Sequence, residues 1–230
     1  MYEGKAKKVY RTSDPDELIQ FFKDDATAFN AQKRGTIHDK GILNNQISEH
    51  LFQLLESRGI PTHFVGRVDD RSMRIKRLKM IPLEVVVRNV TAGSLSKRLG
   101  LPDGRELFPP LVELYYKDDA LGDPLINEDH VRILKAAEPE QLPVIRDLAL
   151  KINEILVPFF DERNLVLVDF KLEFGLFRGM IVLGDEIGPD TCRLWDKSTR
   201  ESLDKDRFRK DLGKVEEAYG EVFRRVCQTQ

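Results

Sequence analysis

Cysteine is scarce in this chain, with only Cys192 and Cys227 among 230 residues. Neither sits in a CxxC or other metal-ligand spacing. That excludes a disulfide framework and fits a reducing compartment. A surplus of charge of one sign is also missing. Lys plus Arg number 37 and Asp plus Glu number 39, a formal net charge of −2. A dedicated nucleic-acid binder or anionic-membrane binder would need a basic surplus, so neither partner is expected. No apolar run approaches the ~20 residues of a bilayer span. The opening Met1-Tyr2-Glu3-Gly4-Lys5 has no apolar signal-peptide core. There is no internal repeat and no low-complexity tract. His38, His50, His63 and His130 show no HExxH or clustered ligand spacing and read as structural or surface groups. A soluble, cytoplasmic protein is expected.

What is present is ordinary globular material: 41% hydrophobic and 33% charged residues, too apolar for disorder. A chain of this size hides roughly 70% of its unfolded surface, so a real core is available. Residues 2–90 read mainly as short strands: Lys5 to Tyr10, Leu18 to Phe22, His63 to Val68, Met73 to Leu78 and Leu83 to Val90. Ser13-Asp14-Pro15-Asp16 has turn chemistry. Leu43, Ile47, Leu51 and Leu54 follow helical spacing before Gly59 and predict a helix over 42–57. In the second half, Ile145, Leu148, Ile152, Ile155 and Phe159 mark a long amphipathic helix. Leu165 to Phe174 and Met180 to Glu186 predict a hairpin. Leu212, Val215, Tyr219, Val222 and Val226 mark a C-terminal helix. This order predicts an α+β protein of two lobes. The lobe boundary is placed at Met80-Ile81-Pro82, giving 1–80 and 81–230, with the Pro/Gly-rich stretch 100–124 as the other candidate.

The hairpin carries the most chemistry. In Leu165-Val-Leu-Val-Asp-Phe-Lys-Leu-Glu-Phe-Gly175, strand alternation puts Val166, Val168, Phe170, Leu172 and Phe174 on one face. Asp169, Lys171 and Glu173 share the other, with Leu165 and Leu167 at its start. Two carboxylates flanking an ammonium suit a magnesium–phosphate site, because carboxylates hold a hard cation and the lysine neutralises phosphate oxygens. A half-solvated strand of alternating charge is the plainer reading. Asp185 or Glu186 would join this group from the second strand, and a one-residue slip exchanges them.

Two further segments point to anions. In Ile81-Pro-Leu-Glu84-Val-Val-Val-Arg88-Asn-Val-Thr91-Ala-Gly-Ser94, Glu84, Val86 and Arg88 share a face, and Ser94 reads as the cap of a helix over Leu95 to Leu99. Helix-start amides and a forked guanidinium bind phosphate or carboxylate; equally, Ser94 is an ordinary cap and Arg88 pairs with Glu84. Gly4-Lys5-Ala6-Lys7 lacks the GxxxxGK[ST] spacing of a P-loop. Lys5 and Lys7 would share a strand face toward one polyphosphate, with Val9 continuing that face against a base, unless this is only a basic edge strand. Tyr115-Tyr116-Lys117-Asp118-Asp119 before Gly122-Asp123-Pro124 reads as a charged loop. Asp190 and Arg193 could line the same cleft, and Lys205-Asp-Arg-Phe-Arg209 opens the last helix.

Ile81 to Ser94 and Leu167 to Gly175 together resemble the two signature motifs of the SAICAR synthetase family of purine biosynthesis. Tyr2-Glu-Gly-Lys-Ala-Lys7, Lys40-Gly41 with Asn44-Asn45, Asp185-Glu186 with Pro189-Asp190 and Arg193-Leu-Trp-Asp196, and Lys205 to Arg209 are similar to that family in the same order. The resemblance implies an ATP-grasp-like fold holding nucleotide between two lobes. It implies phosphorylation of the carboxylate of carboxyaminoimidazole ribonucleotide (CAIR) by ATP, then attack by L-aspartate. It also implies roles. Lys171, Asp169 and Lys7 would be catalytic. Lys5, Ala6, Lys7, Val9, Met80 and Lys117 would bind nucleotide, with Asp123 a weaker transfer. Arg88, Ser94, Asp190 and Arg193 would bind the ribonucleotide, and Glu173 and Asp185 would hold Mg2+. A homodimer is the implied assembly. A small-molecule kinase of related fold and a non-catalytic nucleotide-binding module are the alternatives.

Overall fold

The computed structural model describes residues 2–28 and 32–228. The first part of the chain runs β1 (Tyr2–Glu3), β2 (Lys7–Arg11), β3 (Glu17–Phe22), β4 (Asp25–Ala28), β5 (Lys33–Thr36), α1 (Lys40–Ser57), β6 (Phe64–Arg67) and β7 (Ser72–Lys76). It continues through β8 (Lys79–Val90), α2 (Gly93–Leu99), β9 (Glu106–Tyr116), β10 (Leu125–Ile126), α3 (Glu128–Leu134) and α4 (Gln141–Asp161). β11 (Leu165–Phe177), β12 (Met180–Leu183), β13 (Cys192–Asp196), α5 (Asp206–Arg209) and α6 (Val215–Cys227) close it.

The strands form two principal antiparallel sheets. One has the order β1-β2-β3-β7-β6, the other β10-β9-β8-β11-β12, with β13 also pairing β11; β4 and β5 make a separate ribbon. The division between the principal sheets falls at the short link Arg77-Leu78. One large core runs through both. It joins Phe22, Met73 and Ile75 of the first sheet with Leu51, Phe52 and Leu55 of α1, Val85 and Val87 of β8, Phe170 and Leu172 of β11, and Ile152 and Leu156 of α4. The ladder leaves one surface of β8 and β11 free to turn polar.

β11 departs from strict alternation. Its register against β13 shifts between Leu167 and Asp169, so one residue of β11 has no opposite number. Such a bulge changes which face each later residue presents. Leu165 and Leu167 therefore join the main core with Phe170, Leu172 and Phe174, while Val166 and Val168 pack in a second cluster with Val90, Ala92 and Trp195. The expected placing of Val166 and Val168 beside Phe170 is corrected accordingly; Asp169, Lys171 and Glu173 all line the cleft described below.

Other boundaries move for local reasons. Lys5 and Ala6 lie in a bend before β2, not in a strand, so Lys5 and Lys7 do not share a strand face. β12 ends at Leu183, before Asp185 and Glu186. Ser94 is not a helix cap. The cap position belongs to Ala92, and Ser94 lies inside α2. Leu212 is exposed and precedes α6, and Lys205 to Arg209 falls at the separate turn α5 rather than at the start of the last helix. The stretch 100–124, read as a linker and charged loop, contains β9. Pro109 and Pro110 lie where the β8–β9 register is interrupted, between the pairs Arg88↔Leu111 and Val90↔Glu106. There a proline removes no ladder hydrogen bond.

Candidate active site

A cleft of about 1100 Å³ opens between the two sheets. A single small-ligand pocket spans roughly 300–1,000 Å³, so this one has room for more than one substrate. Lys5 and Ala6 line it from the bend before β2 and Lys7 and Val9 from β2; Met80, Arg88, Asp169, Lys171 and Glu173 from the second sheet, with Lys117 just past β9; Asp185, Asp190 and Arg193 from the chain after β12; and Ser94 and Asp123 also border it. Every site residue singled out from sequence thus reaches one cavity.

Its centre is an alternating lattice of charge. The Lys7 ammonium donates to Asp185 and stands 3.2 Å from Glu186 Oε1. Lys171 donates to Glu173 and to Glu84, the latter at 3.2 Å, and stands 3.2 Å from Asp185 Oδ2. Lys117 donates to the other oxygen of Glu173. Burial alone would neutralise these groups. Instead the neighbouring charges win: Asp185 and Glu186 raise the pKa of Lys7, and Asp185, Glu173 and Glu84 raise that of Lys171. Burial raises the Asp185 carboxyl, but Lys171 and Lys7 overcome it and hold it well below the usual carboxylate range. Glu186 is the exception. Burial and its acidic neighbours raise its pKa, and its Oε2 is buried with no hydrogen-bond partner among the described residues.

The question of Asp185 or Glu186 is not one of strand register. Because β12 has ended, strand alternation does not govern them. Asp185 takes a left-handed backbone, φ 62°, uncommon for a residue with a Cβ. Both carboxylates then face Lys7. Lys5 is more peripheral, pairing with Asp119 at 2.7 Å where both side chains are exposed, a pair of small energetic weight.

A second cluster lies along the same cleft. Arg88, 2% exposed, is held by four groups: Nε donates to Glu113 (2.7 Å), Nη1 to Asp169 (2.7 Å), and Nη2 to Ser94 Oγ and the Tyr115 hydroxyl (both 3.1 Å). The suggested Arg88–Glu84 pair is absent, since Glu84 meets Lys171 instead. Arg193 Nη1 grips both oxygens of Asp169 at 2.8–2.9 Å, and its Nε donates to Asp206. The two guanidiniums thus flank Asp169. Asp190 is buried, accepting from Lys40 Nζ at 2.7 Å and the Tyr219 hydroxyl at 2.6 Å. Lys40, Glu113 and Tyr219 were not singled out individually by sequence reasoning. Lys40 was visible only within a segment of family likeness, and Glu113 fell in the stretch read as a linker.

Arg88→Lys keeps the charge but loses the planar fork. If Arg88 holds the ribonucleotide, as the motif resemblance implies, affinity for CAIR is expected to fall by at least about tenfold, with ATP affinity unchanged, as titration calorimetry would read. Equal loss for both ligands would overturn the assignment of Arg88 to the ribonucleotide.

His63 lines the cleft floor, packed edge-on to Phe52 at 5.2 Å. Its Nε2 is buried without a partner, and burial lowers its pKa from 6.5 to about 3. The unfolded chain therefore binds a proton between pH 6.5 and 3 that the folded chain refuses, so this group's contribution to stability falls as pH drops through that window. Going from pH 7 to 4 should remove on the order of 3 kcal/mol by this route. His63→Gln should flatten that part of a urea-unfolding profile; an unchanged slope would refute a neutral His63.

A cleft between antiparallel sheets, with ammonium groups from both sides interleaved with carboxylates, is the site of an enzyme that moves a phosphoryl group between anionic substrates. The SAICAR synthetase family model matches residues 1–226. A phosphoribosylaminoimidazole-succinocarboxamide synthase from Desulfitobacterium hafniense is 61% identical over 226 residues, covering 98% of this chain and 95% of that protein. One from Caldanaerobacter subterraneus is 56% identical, covering 99% and 97%. Among solved structures, the synthase from Ehrlichia chaffeensis superposes with TM-score 0.97 at 46% identity, covering 100% of this chain and 99% of that one. A SAICAR synthetase in complex with ADP gives 0.96 at 52% identity, covering 100% and 98%. This chain belongs to the SAICAR synthetase family, and its fold is the ATP-grasp-like α+β arrangement that the motifs implied.

Proposed function

We infer that this protein is an ATP-dependent carboxylate–amine ligase that joins L-aspartate to the carboxylate of CAIR, giving SAICAR, ADP and phosphate in purine biosynthesis. The observation that carries the reading is the contact of Lys7, on the N-terminal ribbon, with Asp185 and Glu186, beyond the late hairpin. It brings cations of the N-terminal sheet and carboxylates beyond the late hairpin around one space.

The chemistry explains the charges. A carboxylate is a poor electrophile because oxide is a poor leaving group. Its oxygen attacks the γ-phosphorus of ATP, the bond to the β-phosphate oxygen breaks, and ADP departs. The aspartate amine then forms a C–N bond to the acyl carbon, the C–O bond to phosphate breaks, and the amine gives up a proton. The protein's part is to position the partners and neutralise the moving phosphoryl group. Lys7 and Lys171 are assigned that task, with Asp169 fixing Arg88 and Arg193 beside it. Lys5, Ala6, Val9, Met80 and Lys117 are assigned to the nucleotide. Arg88, Ser94, Asp190 and Arg193 are assigned to CAIR.

Glu173 and Asp185 are assigned to Mg2+. Lys171 already bridges these two carboxylates, so their oxygens converge on a position that a cation fits. Mg2+ is ordinarily held by one or two carboxylates together with substrate phosphates. Among the described residues no group of three or more His, Cys, Asp or Glu forms a ready-made metal cage, so nucleotide oxygens would complete the shell. When bound, the ion supplies charge neutralisation at the phosphates. Residues 1–80 are assigned as the nucleotide-covering lobe and 81–230 as the substrate lobe. A cytoplasmic homodimer without nucleic-acid or membrane partners completes the proposal. The balanced charge fits the absence of a nucleic-acid partner, the homodimer rests on the family resemblance alone, and no helix is long and apolar enough to cross a membrane.

The test is substrate dependence. Release of ADP together with SAICAR should require CAIR and L-aspartate at once. A stable phosphorylated product without aspartate would indicate a kinase, and ATP binding without turnover a binding module.

A further inference from the structure

Among the described residues, none of the C-terminal helix α6 lines the cleft, yet one of its side chains reaches a group assigned there. The buried stripe of α6 includes Tyr219, which is completely buried. Its ring packs with Ala26 of β4, with Ile37 and, at the edge, with Leu43 of α1. Phenylalanine would fill that space as well. What the hydroxyl adds is one contact: it donates to Asp190 Oδ1 at 2.6 Å.

A buried tyrosine hydroxyl usually finds a partner, and a backbone carbonyl would serve. This one meets a carboxylate that already has counter-charge. Lys40 Nζ donates to Asp190 Oδ2 at 2.7 Å, and Lys205 Nζ stands 3.9 Å from the same oxygen. The charge of Asp190 is therefore met without Tyr219. Burial raises the Asp190 pKa, but Lys205, Lys40 and the Tyr219 hydroxyl overcome it and hold the carboxyl below its usual range. Burial and Asp190 raise the Tyr219 pKa, so the phenol keeps its proton and is the donor.

Donors on both oxygens fix the plane of the carboxylate. With Lys40 alone, rotation about the Cβ–Cγ bond would be weakly restrained, because that torsion is broad for aspartate. Each oxygen has two lone pairs, so each keeps one for a ligand. The Asp190 side chain is only 2% exposed although the residue lines the cleft. The donors behind it therefore decide which lone pairs face the ligand. The backbone is anchored separately: Ser48 Oγ of α1 donates to the Ile187 carbonyl at 3.0 Å, and the Lys205 amide to the Pro189 carbonyl at 3.1 Å. The loop is thus held without the hydroxyl, which leaves the orientation of the carboxylate as the hydroxyl's own task.

We propose that Tyr219 is a positioning residue: from outside the cleft, its hydroxyl holds the Asp190 carboxylate in the orientation that accepts a hydrogen bond from the amino group of the imidazole substrate. This rests on the assignment of Asp190 to CAIR above. Tyr219→Phe is expected to raise the KM for CAIR about tenfold, the loss of one hydrogen bond to a charged group. The kcat should stay within about threefold and the KM values for ATP and L-aspartate within about twofold. ADP binding and a thermal melt report the fold, which the retained ring preserves. Asp190→Asn should also raise the KM for CAIR, and Tyr219→Phe should then add less than about twofold, because the two act as one unit. An unchanged KM for CAIR in Tyr219→Phe, with Asp190→Asn raising it, would overturn the role of Tyr219 alone. Additive effects of the two substitutions on that KM, or loss of ADP binding by Tyr219→Phe, would overturn it too. If Asp190→Asn leaves the KM for CAIR unchanged, the Asp190 assignment falls and the role of Tyr219 with it. If the unaltered enzyme makes no SAICAR, the ligase reading itself fails.

Discussion

Lys7→Met should lower kcat/KM by about three orders of magnitude, the upper range seen when one preorganised donor to a developing oxyanion is removed. Lys7 is the only cationic side chain of the described residues placed within 4 Å of both Asp185 and Glu186. It is also the link from the N-terminal sheet to the acidic segment after β12. Methionine preserves the stem and removes the charge. Asp185 retains Lys171 at 3.2 Å, and Glu186, whose pKa is already raised, can take up a proton. The cost to stability should therefore stay near 1–3 kcal/mol, the desolvation penalty of one unsatisfied polar group, and the folded enzyme can be assayed. Steady-state kinetics beside a thermal melt separates the two effects. Turnover within tenfold of the unaltered enzyme would remove Lys7 from the machinery, whatever the melt shows.

The second large effect is expected at Glu173. It is 2% exposed, with one oxygen accepting from Lys171 and the other from Lys117. Glu173→Gln keeps the shape but removes the charge and turns an amide N–H2 toward an ammonium. Turnover should fall by at least about a hundredfold, because a hard cation loses an anionic oxygen and two lysines lose their counter-charge. The Mg2+ concentration for half-maximal rate should rise in parallel. A near-normal rate, or a rate loss with unaltered Mg2+ dependence, would reject Glu173 as a metal ligand.

Much of the site was legible because its chemistry is concentrated in short segments. Asp169, Lys171 and Glu173 sit at alternate positions of one strand, and the ladder places all three along the cleft wall as alternation requires. The long helix α4 and the β11–β12 hairpin also follow directly from apolar spacing. Failures occurred where a local rule was broken by pairing. The bulge after Leu167 exchanged the faces of four residues. The prolines of β9 disguised a strand, because they lie at its one interrupted stretch. Asp185 left the strand period altogether by adopting a left-handed backbone.

The chain by itself determined which functional groups exist, their order and local spacing, and, through whole motifs, the family. Only the tertiary structure decided who meets whom. Lys7 and Asp185 are 178 residues apart, Lys40 and Asp190 150. No periodicity links such positions, since helix and strand patterns reach only a few residues along the backbone. Their meeting depends on closing two sheets over a shared apolar core, and burial there makes each cation require the particular anion that packing brings to it.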